Sequence, residues 1–360
     1  MTNILLIGQI PPPYHGQSIM IEKICNHSFE KVKLTVIRMK FSDNLSSVGK
    51  FKLRKILQLI HLLINITMVL VFKRIDGVYY PPAGHSRIPV FRDIIILHLL
   101  KLSAKPLIFH YHALGLKDFY ESSGRLLQFL IRRTYSSVDH CICLSKKNIP
   151  EVEFLKPKNI HVIPYGVEDK FEGSEKIYET DVPKILYLGN LYKSKGVTAL
   201  MDSAAELKNR GIKFKLIFVG GFKDANYQKE IELHSMYNEV HFEGILTGER
   251  KFNEFANADI FCLPTNYENE NFPVVIIEAL SARLPIVSLD WRAVGDMVSN
   301  KNGFLLNEQD PIELADSLEI LIADFKLRER LGSESRKLFL ENFHENLYLE
   351  RIEEIFQKIS

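Results

Sequence analysis

Only four cysteines occur among the 360 residues: Cys25, Cys141, Cys143 and Cys262. Cys141 and Cys143, spaced i, i+2, point both thiols to one face of a strand, a spacing that fits neither a zinc knuckle nor a redox pair. Buried, reduced thiols are expected instead. Neither charge sign dominates, since 46 basic residues balance 44 acidic ones, which removes the basic footprint of a nucleic-acid binder. No acidic pair or His/Cys cluster has metal-ligand spacing, so neither a metal nor any other cofactor is expected. The opening MTNILLIGQIPPP has no basic n-region or cleavage site, and its apolar run is too short for a signal peptide. A cytoplasmic location follows as the expectation. Low-complexity segments and short repeats are absent too.

What is present is a soluble composition, 46% hydrophobic and 25% charged, at a length that suits two ordinary domains. One segment stands apart. Ile56 to Phe72 (ILQLIHLLINITMVLVF) is largely apolar and is flanked by Lys50, Lys52, Arg54, Lys55, Lys73 and Arg74. A spanning helix needs about 20 mostly apolar residues, and Gln58, His61, Asn65 and Thr67 interrupt this run in roughly one helical stripe. The segment reads as an amphipathic helix, either in the core of a sandwich domain or docked on an anionic membrane surface, with a true span as the third reading.

Two halves open alike. Ile4 to Ile7 forms a short apolar strand running into Gly8, and Lys184 to Leu188 forms another running into Gly189 and NLYKSKG, with a helical pattern over 197–209. Strand patterns recur at 36–39, 77–80, 106–112 and 139–144, then at 214–220, 240–244, 260–264 and 285–289. Strands separated by helices imply parallel sheets with right-handed crossovers, and ligands bind beyond the carboxyl ends of such strands. The expected class is α/β, with an N-terminal domain over 1–168, a C-terminal domain over 183–342 and a last helix over 343–360 that packs back on the N-terminal domain. The polar stretch EGSEKIYETDVP (172–183) reads as the linker. Neither glycine loop carries G-x-G-x-x-G, so a dehydrogenase reading is weak.

The stretch ENFPVVIIEAL sets Glu270 and Glu278 eight residues apart across a proline and an apolar run. Pro273 suits the first turn of a helix, here drawn over Pro273–Arg283. Glu270 then lies just before a helix N-terminus and Glu278 just inside it, with an anion site between them. A nucleotide diphosphate sugar offers sugar hydroxyls, diphosphate and ribose diol in matching order, and each carboxylate can accept two hydroxyls. The same spacing also fits a solvated loop acid followed by a surface helix acid.

These motifs together resemble glycosyltransferase family 4, the retaining nucleotide-sugar glycosyltransferases of the GT-B fold. ENFPVVIIEAL resembles the family's E-G-F-G-x-x-x-x-E-A signature, YLGNLYKSKG its G-R-x-x-x-x-K-G loop and HVIPYGVEDKF its interdomain N-G-V-D segment. LPIVSLD with NGFLL resembles its later strands, and PPPYHGQS its N-terminal proline and glycine loop. The resemblance implies two Rossmann-like doubly wound domains facing a central cleft. It implies that Glu278 holds the ribose diol and Glu270 the hydroxyls of the transferred sugar. The backbone of Asn271, Phe272, Pro273 and Val274 would face sugar and phosphate, with Gly189, Asn190 and Gly16 in the two glycine loops. Lys195 would neutralise the leaving diphosphate, with Lys193 beside it able to swap roles; as a loop lysine it is expected to add little to folding stability. The base would lie near Gly220, Gly221 and the FEGIL backbone (242–246). On the acceptor side His112 is favoured beside the donor sugar, and His110, on the same face, is the fallback; a structural role for both is the alternative. Catalytic weight thus falls on His112, Lys195 and Glu270.

Departures accompany the likeness. Asn190 stands where the family usually has arginine, Asn271 where it has glycine, Pro273 follows Phe272, and His15-Gly16 replaces paired glycines. Losing a bidentate cation at position 190 weakens charge neutralisation. The expected activity is retaining transfer from a nucleotide-sugar donor to a glycan or lipid-linked acceptor in bacterial surface polysaccharide synthesis. The work would be done on the inner face of the cell membrane, with an anionic membrane surface as a further candidate partner. Alternatives are a nucleotide-sugar epimerase on this scaffold or a non-catalytic sugar-binding partner. A phosphorylase would be much longer and need a pyridoxal lysine.

Overall fold

The computed structural model of the chain describes residues 1–12, 16–41, 53–83, 86–178 and 181–359. Lys50, Lys52, residues 13–15 of the N-terminal loop and residues 179–180 of the expected linker lie outside the described residues. The chain divides into two compact units, one made of Met1–Tyr165 with Asn346–Ser360 and the other of Gly166–Glu345.

In the first unit β1 (Thr2–Gly8), β2 (Val32–Arg38), β3 (Gly77–Tyr80), β4 (Leu107–Tyr111), β5 (His140–Cys143) and β6 (Asn159–Val162) pair in the order β2-β1-β3-β4-β5-β6. Every pairing is parallel. The connecting helices are α1 (Gly16–Asn26), α2 (Leu53–Phe72), α3 (Arg87–Leu102), α4 (Leu116–Glu121), α5 (Arg125–Tyr135) and α6 (Pro150–Glu153). In the second unit β7 (Lys184–Leu188), β8 (Lys215–Val219), β9 (His241–Gly244), β10 (Ile260–Leu263), β11 (Ile286–Leu289) and β12 (Gly303–Leu306) pair in the order β12-β11-β10-β7-β8-β9, also all parallel. Its helices are α7 (Val197–Asn209), α8 (Ala225–Glu232), α9 (Gly248–Asn257), α10 (Val274–Ser281), α11 (Pro311–Ala323) and α12 (Phe325–Asn342). From Asn346 onward α13 (Glu345–Gln357) belongs to the first unit.

The strands are near-continuous apolar runs because helices cover both faces of each sheet. Alternation sorts the first sheet cleanly. Leu5, Ile7, Val78, Tyr80, Phe109, Tyr111, Cys141 and Cys143 face one core, shared with Leu62 and Ile66 of α2 and with α3 and α5. Cys141 and Cys143 thus share a face as free, buried thiols. Tyr79 and His110, at the alternate positions, meet α13 through Phe356 and Tyr348.

Three elements depart from the sequence reading. β2 begins at Val32, four residues before the predicted strand, and β6 was not anticipated. The stretch expected to be a linker is instead packed on the second unit: Lys176 donates to the carbonyls of Ala256 and Ala258, and buried Tyr178 donates to the Arg283 carbonyl at 3.0 Å. The two strand-order reversals lie at β1/β3 and at β7/β10, where a doubly wound sheet opens a crevice at its carboxyl edge.

Candidate functional site

At the reversal in the second sheet, β7 delivers the chain into Gly189 and Asn190, a 3-10 turn over Lys193–Lys195, and then Gly196. Gly196 has φ +80°, and a Cβ there would lie 2.3 Å from the Pro264 carbonyl oxygen, so only glycine lets α7 start against the end of β10. The Asn266 amide donates to the Ser194 carbonyl (2.8 Å), and Gln309 Nε2 donates to the Pro264 carbonyl (2.7 Å). The end of β8 meets the same corner. A Cβ on Gly220 would sit 1.8 Å from the Gly189 carbonyl oxygen, so the Gly189 and Gly220 loops touch backbone to backbone. Gly220 donates to the Gly244 carbonyl (2.8 Å) and Leu191 to that of Gly221 (3.1 Å), which brings Gly189, Asn190, Gly220, Gly221 and the FEGIL backbone together.

Lys195 reaches back over this corner. Its Nζ lies 2.8 Å from Glu270 Oε2, and the two side chains are only 13% and 15% exposed. Nζ also lies 5.6 Å from the ring of Tyr267, which stacks on Tyr192. Beneath it the Tyr187 hydroxyl donates to the Asn190 carbonyl at 3.1 Å. Burial, and then the charge of Glu270, push that phenol well above its ordinary range. Lys193 does not share the position here: it pairs with Glu230 at 3.0 Å in solvent.

After Glu270 the chain turns inward, with Asn271, Phe272 and Pro273 buried and Phe272 against Phe343. Pro273 is the N-cap residue, at φ −70° and ψ 104°, not the first helical residue, and α10 ends at Ser281 rather than Arg283, whose φ is +59°. A proline ring fixes φ but leaves ψ free to stay extended, so the helix starts one residue later, at Val274. No side chain caps α10. Glu278 is buried one turn in and accepts from Lys251 of α9 at 2.5 Å. Lys251 is the site residue that sequence reasoning missed, because nothing in a spacing of 27 residues signals that α9 and α10 set these two groups side by side.

His112 and Gly16 belong to the first unit. Gly16 opens α1 in an exposed position with nothing near its Cβ direction. His112 follows β4 and is buried: its Nδ1 lies 2.6 Å from the Tyr165 hydroxyl, and its ring lies 4.0 Å from that of His110. His110 Nδ1 in turn lies 2.7 Å from the Tyr79 hydroxyl, and burial holds the His110 imidazole down at about 3. The pair therefore sits in a histidine–tyrosine network with a strong structural component. Among the described residues no His, Cys, Asp and Glu gather into a metal cluster.

Residues 169–338 match the family described as glycosyl transferases group 1. That match covers just under half of the chain and lies within the second unit, Gly166–Glu345. Proteins similar to the chain bear glycosyltransferase names. An uncharacterized glycosyltransferase of Methanocaldococcus jannaschii is 26% identical over 255 residues, 68% of this chain and 63% of that protein. The capsular polysaccharide biosynthesis glycosyltransferase CapM of Staphylococcus aureus is 25% identical over 224 residues, 59% of this chain and 58% of its own length. The chain thus spans less than two thirds of either relative. HepE of Anabaena, solved in complex with UDP, aligns over 99% of this chain and 100% of its own, with a TM-score of 0.74 at 16% identity. The likeness establishes two Rossmann-like parallel-sheet domains of the GT-B type. In the second unit, the corner holding Lys195, Glu270 and the Gly189 and Gly220 loops stands at the carboxyl ends of β7 and β10.

Proposed function

We propose that the chain moves a sugar, with retention at the anomeric carbon, from a nucleoside diphosphate sugar held by the second unit to a glycan or lipid-linked acceptor. The observation that carries the reading is the Lys195–Glu270 pair at the mouth of the Gly189 and Gly220 loops. As the bond from anomeric carbon to phosphate oxygen breaks, charge develops on the departing diphosphate. A preorganised ammonium group and a helix N-terminus are what stabilise such charge. Engaging the diphosphate draws Lys195 off Glu270, whose carboxylate then accepts hydroxyls of the transferred sugar. Glu278, held by Lys251, accepts the ribose diol. Lys195 and α10 supply positive charge without a divalent ion, so turnover is expected to survive a chelator.

HepE's UDP complex makes UDP sugars the first donors to test, and CapM supports an acceptor in surface polysaccharide assembly. Titration calorimetry with UDP and GDP, followed by proton NMR of the first-formed product, tests the reading. Binding of neither nucleotide would remove the donor site, and an inverted anomer would overturn retention. Asn190, standing where arginine is usual with Lys193 committed to Glu230, favours a second reading as a non-catalytic sugar-binding partner. Donor binding without turnover across an acceptor panel would select it.

A further inference from the structure

α2 is apolar on two opposite sides. Leu62 and Ile66 are buried in the first unit's core, while Leu57, Ile60, Ile64, Met68 and Val71, spaced by 3, 4, 4 and 3 residues, are 49–67% exposed. That spacing draws one stripe along the solvent side of the helix. The sequence suggested a single apolar face; the structure shows that burying one face leaves a second uncovered. On α3, Ile88, Phe91, Ile95 and Leu102 are exposed at spacings of 3, 4 and 7. A mostly apolar groove, with Ile64, Met68, Ile95 and Leu102 among its lining residues and Thr67 and His98 the polar ones, joins the two stripes. Soluble proteins rarely leave a contiguous apolar area of this kind uncovered unless it has a partner.

Charge says which partner. α2, α3 and α5 carry one carboxylate among them, Asp93, and it is buried, accepting from Tyr80 at 2.7 Å and from Arg92 at 2.6 Å. The rim of the face is cationic instead, with Arg54, Arg87 and Arg125 exposed on these helices and Lys73 exposed directly after α2, while Arg74 beside it pairs with Asp76 at 3.6 Å. A second copy of the chain would bring two cationic rims together, which opposes association. An anionic lipid surface meets both the apolar stripe and the rim. Arg54–Phe72 has the length and apolarity of a membrane span, yet crossing a bilayer would pull Leu62 and Ile66 out of the core.

We propose that the α2–α3 face docks in plane on an anionic lipid bilayer, with its apolar stripes at the headgroup–acyl boundary and its cations among the lipid phosphates. The inference rests on the surface of the first unit alone and is independent of the sugar-transfer reading. Sedimentation of the full chain with vesicles of phosphatidylcholine, with and without phosphatidylglycerol, tests it at low and high salt. Wild type is expected to pellet with the anionic vesicles at low salt and to be released as salt rises. Ile60→Ser/Ile64→Ser/Met68→Ser, at exposed positions that leave the core intact, should weaken partitioning at least roughly tenfold. Arg54→Gln/Lys73→Gln/Arg87→Gln should weaken it roughly a hundredfold, at about fivefold per cation. Circular dichroism and melting checks that both variants are folded. Wild type remaining in the supernatant with anionic vesicles overturns the proposal, as does unaltered pelleting of both folded variants. A stable dimer broken by the serine variant, with no vesicle binding, would assign the face to a second copy instead.

Discussion

Lys195→Ala removes the cation from a pair whose side chains are 13% and 15% exposed. Exposed ion pairs contribute about 0.2–1 kcal/mol, whereas stripping one partner from a fully buried pair costs about 3–5 kcal/mol. This pair lies nearer the buried limit, so the variant should lose about 1.5–3 kcal/mol of folding stability, since the carboxylate of Glu270 keeps its burial and loses its cation. At roughly 2–4 °C per kcal/mol for a domain of this size, that is about 3–12 °C of melting temperature. The expectation that a loop lysine adds little to stability is thereby replaced, because this lysine is neither exposed nor unpaired. Lys195→Ala/Glu270→Gln should recover much of the loss, since no uncompensated charge remains, and a thermodynamic cycle over the singles and the double should give a coupling of about 1–2 kcal/mol. Turnover should not recover: losing an oriented charge at a leaving group costs about 10²–10³ in rate. Differential scanning calorimetry and a donor-turnover assay on the three variants read both quantities. If the single variants melt as wild type does, the pair does not hold in solution. A double variant with full turnover would take Lys195 out of the reaction.

Glu278→Gln should weaken nucleoside diphosphate binding by about 1–3 kcal/mol, the value of a hydrogen bond to a charged group; calorimetry finding unchanged affinity would remove Glu278 from the site. Lys251→Met should weaken the same binding and leave Glu278 buried without its cation, so its melting temperature should also fall, and a variant that alters neither would make their 2.5 Å contact incidental. Gly220→Ala drives a methyl into the Gly189 carbonyl and should cost at least about 1–3 kcal/mol, together with donor binding, which a melt and a titration would check. His110 sets a pH dependence: burial holds its folded value at about 3, so from about pH 6.5 downward the unfolded chain takes up a proton that the folded chain refuses. Its contribution is full above that pH and is lost toward pH 3, by about 1.4 kcal/mol per pH unit. His110→Phe should flatten the melting temperature between pH 6.5 and 4, and an unchanged slope would assign the acid sensitivity elsewhere.

The elements that local chemistry dictates were legible in the sequence. Lys184–Leu188 and Val197–Asn209 have in the structure the bounds that the pattern predicts, because an apolar strand stopping at a glycine and a helix starting after one need no distant information. The placement of Glu278 inside a helix followed from its proline and apolar run. What was not legible depends on packing between elements far apart in sequence. The Lys195–Glu270 and Lys251–Glu278 contacts require particular loops and helices to meet, and Lys193, two residues from Lys195, turns the other way to Glu230. The polar stretch over 172–183 looked like a linker because its composition is polar, yet Tyr178 anchors it. Periodicity showed that α2 is apolar on one side; only the position of the sheet shows how much apolar surface remains on the other.

The membership of α13 bears on the order in which the protein is made. Phe356 is buried against Tyr79, Ile359 lies where a side chain on Gly77 would project, and Glu353 accepts from the Lys31 amide at 2.7 Å. All of these contacts complete one side of the first sheet, but the whole second unit, Gly166–Glu345, must be translated before they can form. The second unit is continuous in sequence and can close as soon as it leaves the ribosome. The first unit, although begun earlier, waits roughly 10–35 s at 5–20 residues per second for its last helix. During that interval Tyr79 and the His110 side of β4 lack their cover, so the unit that starts first is the one that finishes last.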